Sequence, residues 1–156
     1  MVISIHRPRV FLDADVIFAG SASPQEHSAS QVILSLGEVT MLECVTSEQA
    51  VIEVERNLRL KLPAKIPEFR LIVSRSLQVL PDPKLSDLAF WHEQADPKDL
   101  PILVAAIQAG CQRLLTFNLR HYMPAEGQIT VMRPGQYLQE LRYWLSFGHL
   151  GPGQYS

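Results

Sequence analysis

Acids or their amide and hydroxyl relatives gather at four places in this chain of 156 residues, and their spacing limits the chemistry it can do. Asp13 and Asp15 close the apolar run Val10-Phe11-Leu12. Asp96 and Asp99 precede the almost wholly apolar segment Leu100 to Ala109. Glu53 and Glu55 lie beside Ala50, Val51, Val54 and Leu58, which recur at helical spacing, and Thr116 and Asn118 follow another apolar run. Mg²⁺ and Mn²⁺ are hard cations that take oxygen ligands, so a small group of carboxylates suits them. Such an ion can lower the pKa of a bound water and stabilise charge on a phosphate in flight. Zinc fits less well. The five histidines make no HxxxH or HExxH pair, and Cys44 and Cys111 are too far apart for a CxxC site.

Each of these residues also has a plainer reading. Asp96 or Asp99 can cap a helix, with Pro97 or Pro101 in its first turn. Asp15 can cap a short helix over 15–20. Glu53 and Glu55 both flank the apolar stripe, so the helical period does not choose between them. Asn118 suits a turn, Cys44 and Cys111 suit the core, and His121 suits the surface.

The elements that must hold these groups alternate between strand and helix. Val10 to Leu12 reads as a buried strand running into Asp13. If it extends through Asp15, both carboxylates face one way. A loop over 20–24 precedes a helix over about 25–36 that Gly37 ends. Val39 to Val45 reads as the second strand, with Thr46 capping the next helix and Gln49 completing a capping box. Pro63 stops that helix. A helix over 66–75, a strand over Leu77 to Leu80 and a weak helix over 85–93 follow. Then come the apolar helix Leu100 to Ala109, strands at Arg113 to Thr116 and Ile129 to Met132, and a helix from Pro134 to Leu145. Tyr137, Leu138, Leu141 and Leu145 fall on one face of this last helix, for the core or a dimer seam. The alternation calls for a mainly parallel sheet of about five strands between helical layers, an α/β/α sandwich. Ligands in such sheets bind outside the carboxyl ends of the strands. We expect one domain over 1–147 and a flexible tail over 148–156, rich in Gly, Pro, Gln and Ser.

Composition agrees with one ordered domain: 47% of residues are hydrophobic and 19% charged. No apolar run reaches the roughly 18 residues that span a bilayer. With no leader-like segment and no disulfide framework, a cytoplasmic location is expected. Fourteen Lys and Arg against sixteen Asp and Glu give a net charge of −2. Setting aside Asp13, Asp15, Glu53, Asp96 and Asp99 leaves eleven acids against fourteen bases. The stretch 56–75 holds Arg56, Arg59, Lys61, Lys65, Arg70 and Arg75, either a solvated helical face or a track for a polyanion.

Four segments, in order, resemble the motifs of PIN-domain ribonucleases. They are Val10-Phe-Leu-Asp-Ala-Asp-Val-Ile17, Glu53-Val-Glu-Arg-Asn-Leu58, Asp96-Pro-Lys-Asp99-Leu-Pro-Ile-Leu-Val-Ala-Ala106 and Leu114-Leu-Thr-Phe-Asn-Leu-Arg-His-Tyr122. The resemblance spans roughly residues 8–133. It implies an RNA-cleaving fold that uses Mg²⁺ or Mn²⁺, in a family that includes the VapC-like toxins of toxin–antitoxin pairs. It matches Asp13, Glu53 and Asp99 to the acids of the metal site, with Asp96 as a helper. Asp15, Thr116 and Asn118 are then supporting residues, and Arg56, Arg59 and Arg120 contact RNA. A small antitoxin and a homodimer are the implied partners. Two departures stand out: many members have Asn where Asp15 stands and Asp where Asn118 stands.

Two other functions fit parts of the pattern. A PIN-like domain without activity, serving as a binding module, fits the amide at 118. A haloacid-dehalogenase-type phosphatase would use Asp13 and Asp15 as nucleophile and general acid/base, with a hydroxyl from Thr46 or Ser47.

Overall fold

The computed structural model describes residues 7–22 and 28–147. The expected tail over 148–156 and part of the expected 20–24 loop lie outside these residues. The chain runs β1 (Arg9–Leu12), α1 (Ala14–Ala22), α2 (Ala29–Glu38), β2 (Glu43–Ser47), α3 (Glu48–Lys61), α4 (Ile66–Ser76), β3 (Leu77–Leu80), α5 (Leu85–Leu88), α6 (Leu100–Gln108), β4 (Arg113–Leu115), β5 (Thr130–Met132) and α7 (Pro134–Phe147). Short 3₁₀ turns occupy Pro63–Lys65, Ala89–Trp91 and Leu119–His121.

The five strands form one parallel sheet in the order β3-β2-β1-β4-β5. Buried on both faces, these strands are apolar runs: Val10, Phe11, Leu12, Val45, Leu114 and Leu115 are almost inaccessible. Helices α1 to α4 pack on one another, with α7 against α2, and α6 packs on β2 and β4 with α5 beside it. The expected α/β/α sandwich is therefore the observed one. The chain winds outward from β1 to β3, then crosses back to β4 on the other side of β1. The crevice between the carboxyl ends of β1 and β4 is thus the topological switch point, where open α/β sheets place ligands.

Several expected boundaries move. Helix α1 continues through Gly20 and Ser21, where a loop was expected. Helix α2 runs to Glu38, so Gly37 lies inside it. A Cβ at Gly37 would stand 2.8 Å from the Ser76 carbonyl oxygen and 2.9 Å from Cys44 Sγ, so close packing requires this glycine. The chain reverses instead at Thr40, whose φ of 64° is left-handed. Strand β2 therefore starts at Glu43 rather than Val39. It also continues through Ser47, which is in register with Leu80. The helix cap shifts with it: Ser47 Oγ accepts from the Ala50 N–H at 3.3 Å, while Thr46 Oγ1 donates to the Leu12 carbonyl at 2.9 Å. Both hydroxyls offered to the phosphatase reading are buried in structural bonds. The weak helix expected over 85–93 is a single turn of α5 followed by a 3₁₀ turn. Along α7, Tyr137 is buried and Leu138 and Leu141 touch the core, but Leu145 is 71% exposed. No helix among the described residues is long and apolar enough to cross a membrane.

Candidate active site

Asp13 is the hinge between β1 and α1. Its N–H donates to the Leu115 carbonyl of β4 at 3.0 Å, and its own carbonyl accepts the N–H groups of Val16 and Ile17. Its Oδ1 accepts the Ala14 N–H at 2.7 Å. Its Oδ2 accepts from Tyr122 Oη at 2.7 Å and Thr116 Oγ1 at 2.9 Å. The carboxylate is buried and held by three hydrogen bonds.

Strand alternation does not bring Asp15 here, because β1 ends at Leu12. Asp15 sits in the first turn of α1. Its Oδ2 accepts the Phe117 N–H at 2.9 Å and lies 3.2 Å from both Thr116 Oγ1 and Asn118 Nδ2. The Thr116 hydroxyl stands between the two aspartates and has one proton to donate. The Asn118 N–H in turn donates to Thr116 Oγ1 at 3.1 Å. The turn after β4 thus clamps one oxygen of Asp15, while Asp15 Oδ1 is buried and accepts no hydrogen bond.

Asp99 occupies the cap position of α6, but its side chain caps nothing and is free for other contacts. The Asp96 carbonyl instead accepts the N–H groups of Asp99 and Leu100, and the Asp96 N–H donates to the His121 carbonyl at 2.8 Å. With the Ala95–Tyr122 bridge, this ties the loop before α6 to the turn after β4. His121 Nδ1 then lies 3.0 Å from Asp99 Oδ2. Asp96, Asp99 and His121 each offer a ligand atom, all within 4.8 Å of one another.

Glu53 points from α3 toward the same space. The charges of Asp13 and Asp99 act on it, whereas Glu55 pairs with Arg70 at 2.9 Å and Arg59 at 3.6 Å. Asp13, Glu53 and Asp99 do not close to within 4.8 Å as a trio. Arg56 and Arg120 are exposed near these acids in sequence, and Arg59 is engaged by Glu55.

Burial and neighbouring charge push Asp15, Glu53 and Asp99 up. Burial, then the neighbouring Asp13 charge, raises the Asp15 carboxyl from 3.8 to about 6. Asp99 is raised by burial and then by Asp13, with Lys98 and His121 opposing. Glu53 is raised by burial, then by Asp13 and Asp99, with Lys98 and Arg56 opposing. Burial and the Asp13 charge also raise the Tyr122 phenol, so it stays protonated and donates to Asp13. A set of crowded carboxylates with an orphaned buried oxygen on Asp15 fits a hard divalent cation, which would relieve the repulsion.

Two contacts escape sequence reasoning. Tyr122 ends the fourth motif segment without a role of its own there, and its bond to Asp13 joins positions 109 apart. His121 reads as a surface residue. The signal for both is that they close the fourth motif segment, directly after Asn118.

A family model, PIN domain, matches residues 9–120. The chain belongs to the PIN domain family. All the candidate acids of this PIN domain lie inside the matched span, and His121 and Tyr122 fall just beyond it. Its fold is shared with solved structures. PAE2754 from Pyrobaculum aerophilum has a TM-score of 0.62 at 16% identity, covering 87% of this chain and 96% of that one. VapBC2 from Rickettsia felis, bound to a DNA fragment from their promoter, has a TM-score of 0.55 at 14% identity, covering 79% and 96%. Mycobacterium tuberculosis VapC20, a sarcin-ricin loop cleaving toxin, has a TM-score of 0.49 at 14% identity, covering 67% and 86%. No curated protein sequence matches significantly.

Proposed function

We propose that this PIN domain is a divalent-cation-dependent endoribonuclease that hydrolyses RNA phosphodiester bonds, and that it is the toxin of a toxin–antitoxin pair. The observation that carries the reading is the gathering of Asp13, Asp99 and Glu53 at the switch point, where the Asp13 charge acts on both other acids and the Asp99 charge on Glu53, with no Lys or Arg ion pair among the described residues.

Asp13, Glu53 and Asp99, with Asp96, would hold Mg²⁺ or Mn²⁺. When bound, the ion supplies positive charge opposite the phosphate oxygens and promotes ionisation of water. The chain's own residues do the positioning. Tyr122 and Thr116 aim the Asp13 carboxylate through its Oδ2. His121 Nδ1 stands 3.0 Å from Asp99 Oδ2. Asn118 acts on Asp15 and not directly on the other acids, through its 3.2 Å amide contact. Arg56, Arg59 and Arg120 supply positive charge for the RNA backbone.

The toxin assignment draws support from the fold shared with VapBC2. It implies a small antitoxin that covers the acids, a homodimer and a cytoplasmic setting. A catalytically silent binding module is the second reading, favoured by the amide at 118. RNA cleavage with Mg²⁺, Mn²⁺ or EDTA, beside Asp13→Asn, separates the two. Metal-dependent cutting lost in the variant is expected. No cutting of structured or single-stranded RNA by folded protein contradicts the nuclease.

A further inference from the structure

We propose that the groove between the outer face of α3 and the Pro81-Asp82-Pro83 turn is a subsite for one nucleotide of the RNA, adjacent to the scissile phosphate, with a preference for a base bearing an amino group. The proposal rests on the nuclease reading and adds a substrate contact to it.

The groove is a cavity of about 440 Å³ lined by Gln49, Ile52, Glu53, Arg56, Asn57 and Asp82. That volume falls in the range of small-ligand sites, roughly 300–1,000 Å³. The five α3 residues recur at the spacing of one helix face, and the opposite face, Ala50, Val54 and Leu58, is fully buried. Asp82 closes the far wall. Its Oδ1 accepts the Gln49 N–H at 2.9 Å, which fixes the turn against the first turn of α3. Gln49 Nε2 also reaches the Lys98 carbonyl at 3.5 Å, so the groove is tied to the loop that carries Asp99.

The chemistry of the lining fits a nucleotide. Among the described residues Arg56 makes no ion pair or hydrogen bond, while Arg59 and Arg70 are held by Glu55. An unengaged guanidinium is suited to a phosphate. It is close enough to Glu53 to lower that carboxyl, so a phosphate at Arg56 is next to the proposed cutting site. Arg56 and Asn57 lie one turn beyond Glu53, about 5.4 Å along the axis. A chain lying along α3 with one phosphate before Glu53 thus brings a neighbouring nucleotide over them. Ile52 is 56% exposed and offers an apolar surface to a base face. The Asn57 amide both donates and accepts, and the Asp82 carboxylate accepts only. An acceptor on the wall favours the exocyclic amino group of guanine, adenine or cytosine over uracil.

The test sequences the cut ends of a randomised RNA pool with wild type, Asn57→Ala, Asp82→Asn and Arg56→Ala. Asp82→Asn keeps an oxygen for the Gln49 N–H. Wild type should discriminate against uracil at one position beside the cut by about fivefold or more, and Asn57→Ala and Asp82→Asn should flatten that preference. Arg56→Ala should weaken all RNAs alike and lower the salt slope of binding by about 0.7. Continued cutting with an unchanged profile and slope overturns the subsite, leaves the nuclease standing and gives the groove to a protein partner. If wild type cuts nothing, the nuclease reading fails, and fluorescence anisotropy of a labelled RNA oligonucleotide decides the subsite. Weaker binding by Arg56→Ala and loss of base preference in Asn57→Ala keep it; unchanged binding overturns it.

Discussion

At the amino ends of the strands, Arg7 and Arg9 both reach Glu43, each at 3.0 Å, and Arg9 also donates to the Ala109 carbonyl at 2.8 Å. At the carboxyl ends, Asp13, Asp15, Asp99 and Glu53 crowd together without a Lys or Arg ion pair among the described residues. One end neutralises its charge and joins β1, β2 and the end of α6. The other accumulates charge, and burial with neighbouring charge holds Asp15, Glu53 and Asp99 above their ordinary range. Charge that the fold satisfies serves stability. Charge that the fold concentrates and leaves unsatisfied is a cost that a bound cation and substrate can offset.

This contrast can be broken most forcefully at Asp13. Asp13→Asn removes the charge that raises Asp15, Glu53 and Asp99. RNA cleavage should fall by about a hundredfold or more, the upper end of what even an outer partner of a metal costs. Circular dichroism should show the same fold. A smaller effect is expected from Asn118→Asp, which sets a second carboxylate against Asp15 Oδ2, where the amide now lies at 3.2 Å. Thermal unfolding in EDTA should show a lowered Tm that Mn²⁺ restores more fully than in wild type. Adding Asp15→Asn to it should relieve the loss in EDTA.

The pH dependence sharpens the same point. Asp15 has a folded pKa of about 6 against an ordinary 3.8. Between these values the folded chain holds a proton that the unfolded chain releases. The contribution of Asp15 to stability is therefore present below pH 4 and is lost as pH rises through 6. In EDTA this loss should show in Tm, and Asp15→Asn should reduce it. The stabilisation by Mn²⁺ should grow over the same window. The smallest effect belongs to the neutralised end. Glu43→Gln breaks two half-exposed ion pairs, together worth about 1 kcal/mol, and should lower Tm slightly while RNA cleavage stays unchanged.

Much of this was legible before any coordinates. Apolar runs and helix stops mark the strands and helices because burial and backbone geometry act locally. Three acidic segments and a fourth that carries Thr116 and Asn118 resemble PIN motifs in the right order. What stayed hidden depends on where one element ends against another. β1 stops a residue before Asp13, so Asp15 arrives through a helix turn and not through strand alternation. Pairing with β3 carries β2 through Ser47 and transfers the cap from Thr46. Glu53 and Glu55 are equivalent by helical period, and only the placement of α4 gives Glu55 its partner in Arg70. Tyr122 needed the Ala95 bridge, a contact between distant segments, to reach Asp13.

The charge gathered at the carboxyl end of the sheet is proposed to hold a divalent cation. Calorimetric titration of the folded protein with Mn²⁺ at pH 6, in buffers of different ionisation enthalpy, tests it directly. The expected result is saturable binding with proton release, since Asp15, raised to about 6, loses its proton when a cation sits among these acids, and a large loss of affinity in Asp13→Asn. Folded protein that binds no Mn²⁺, or binds it equally well in the variant, would contradict the account.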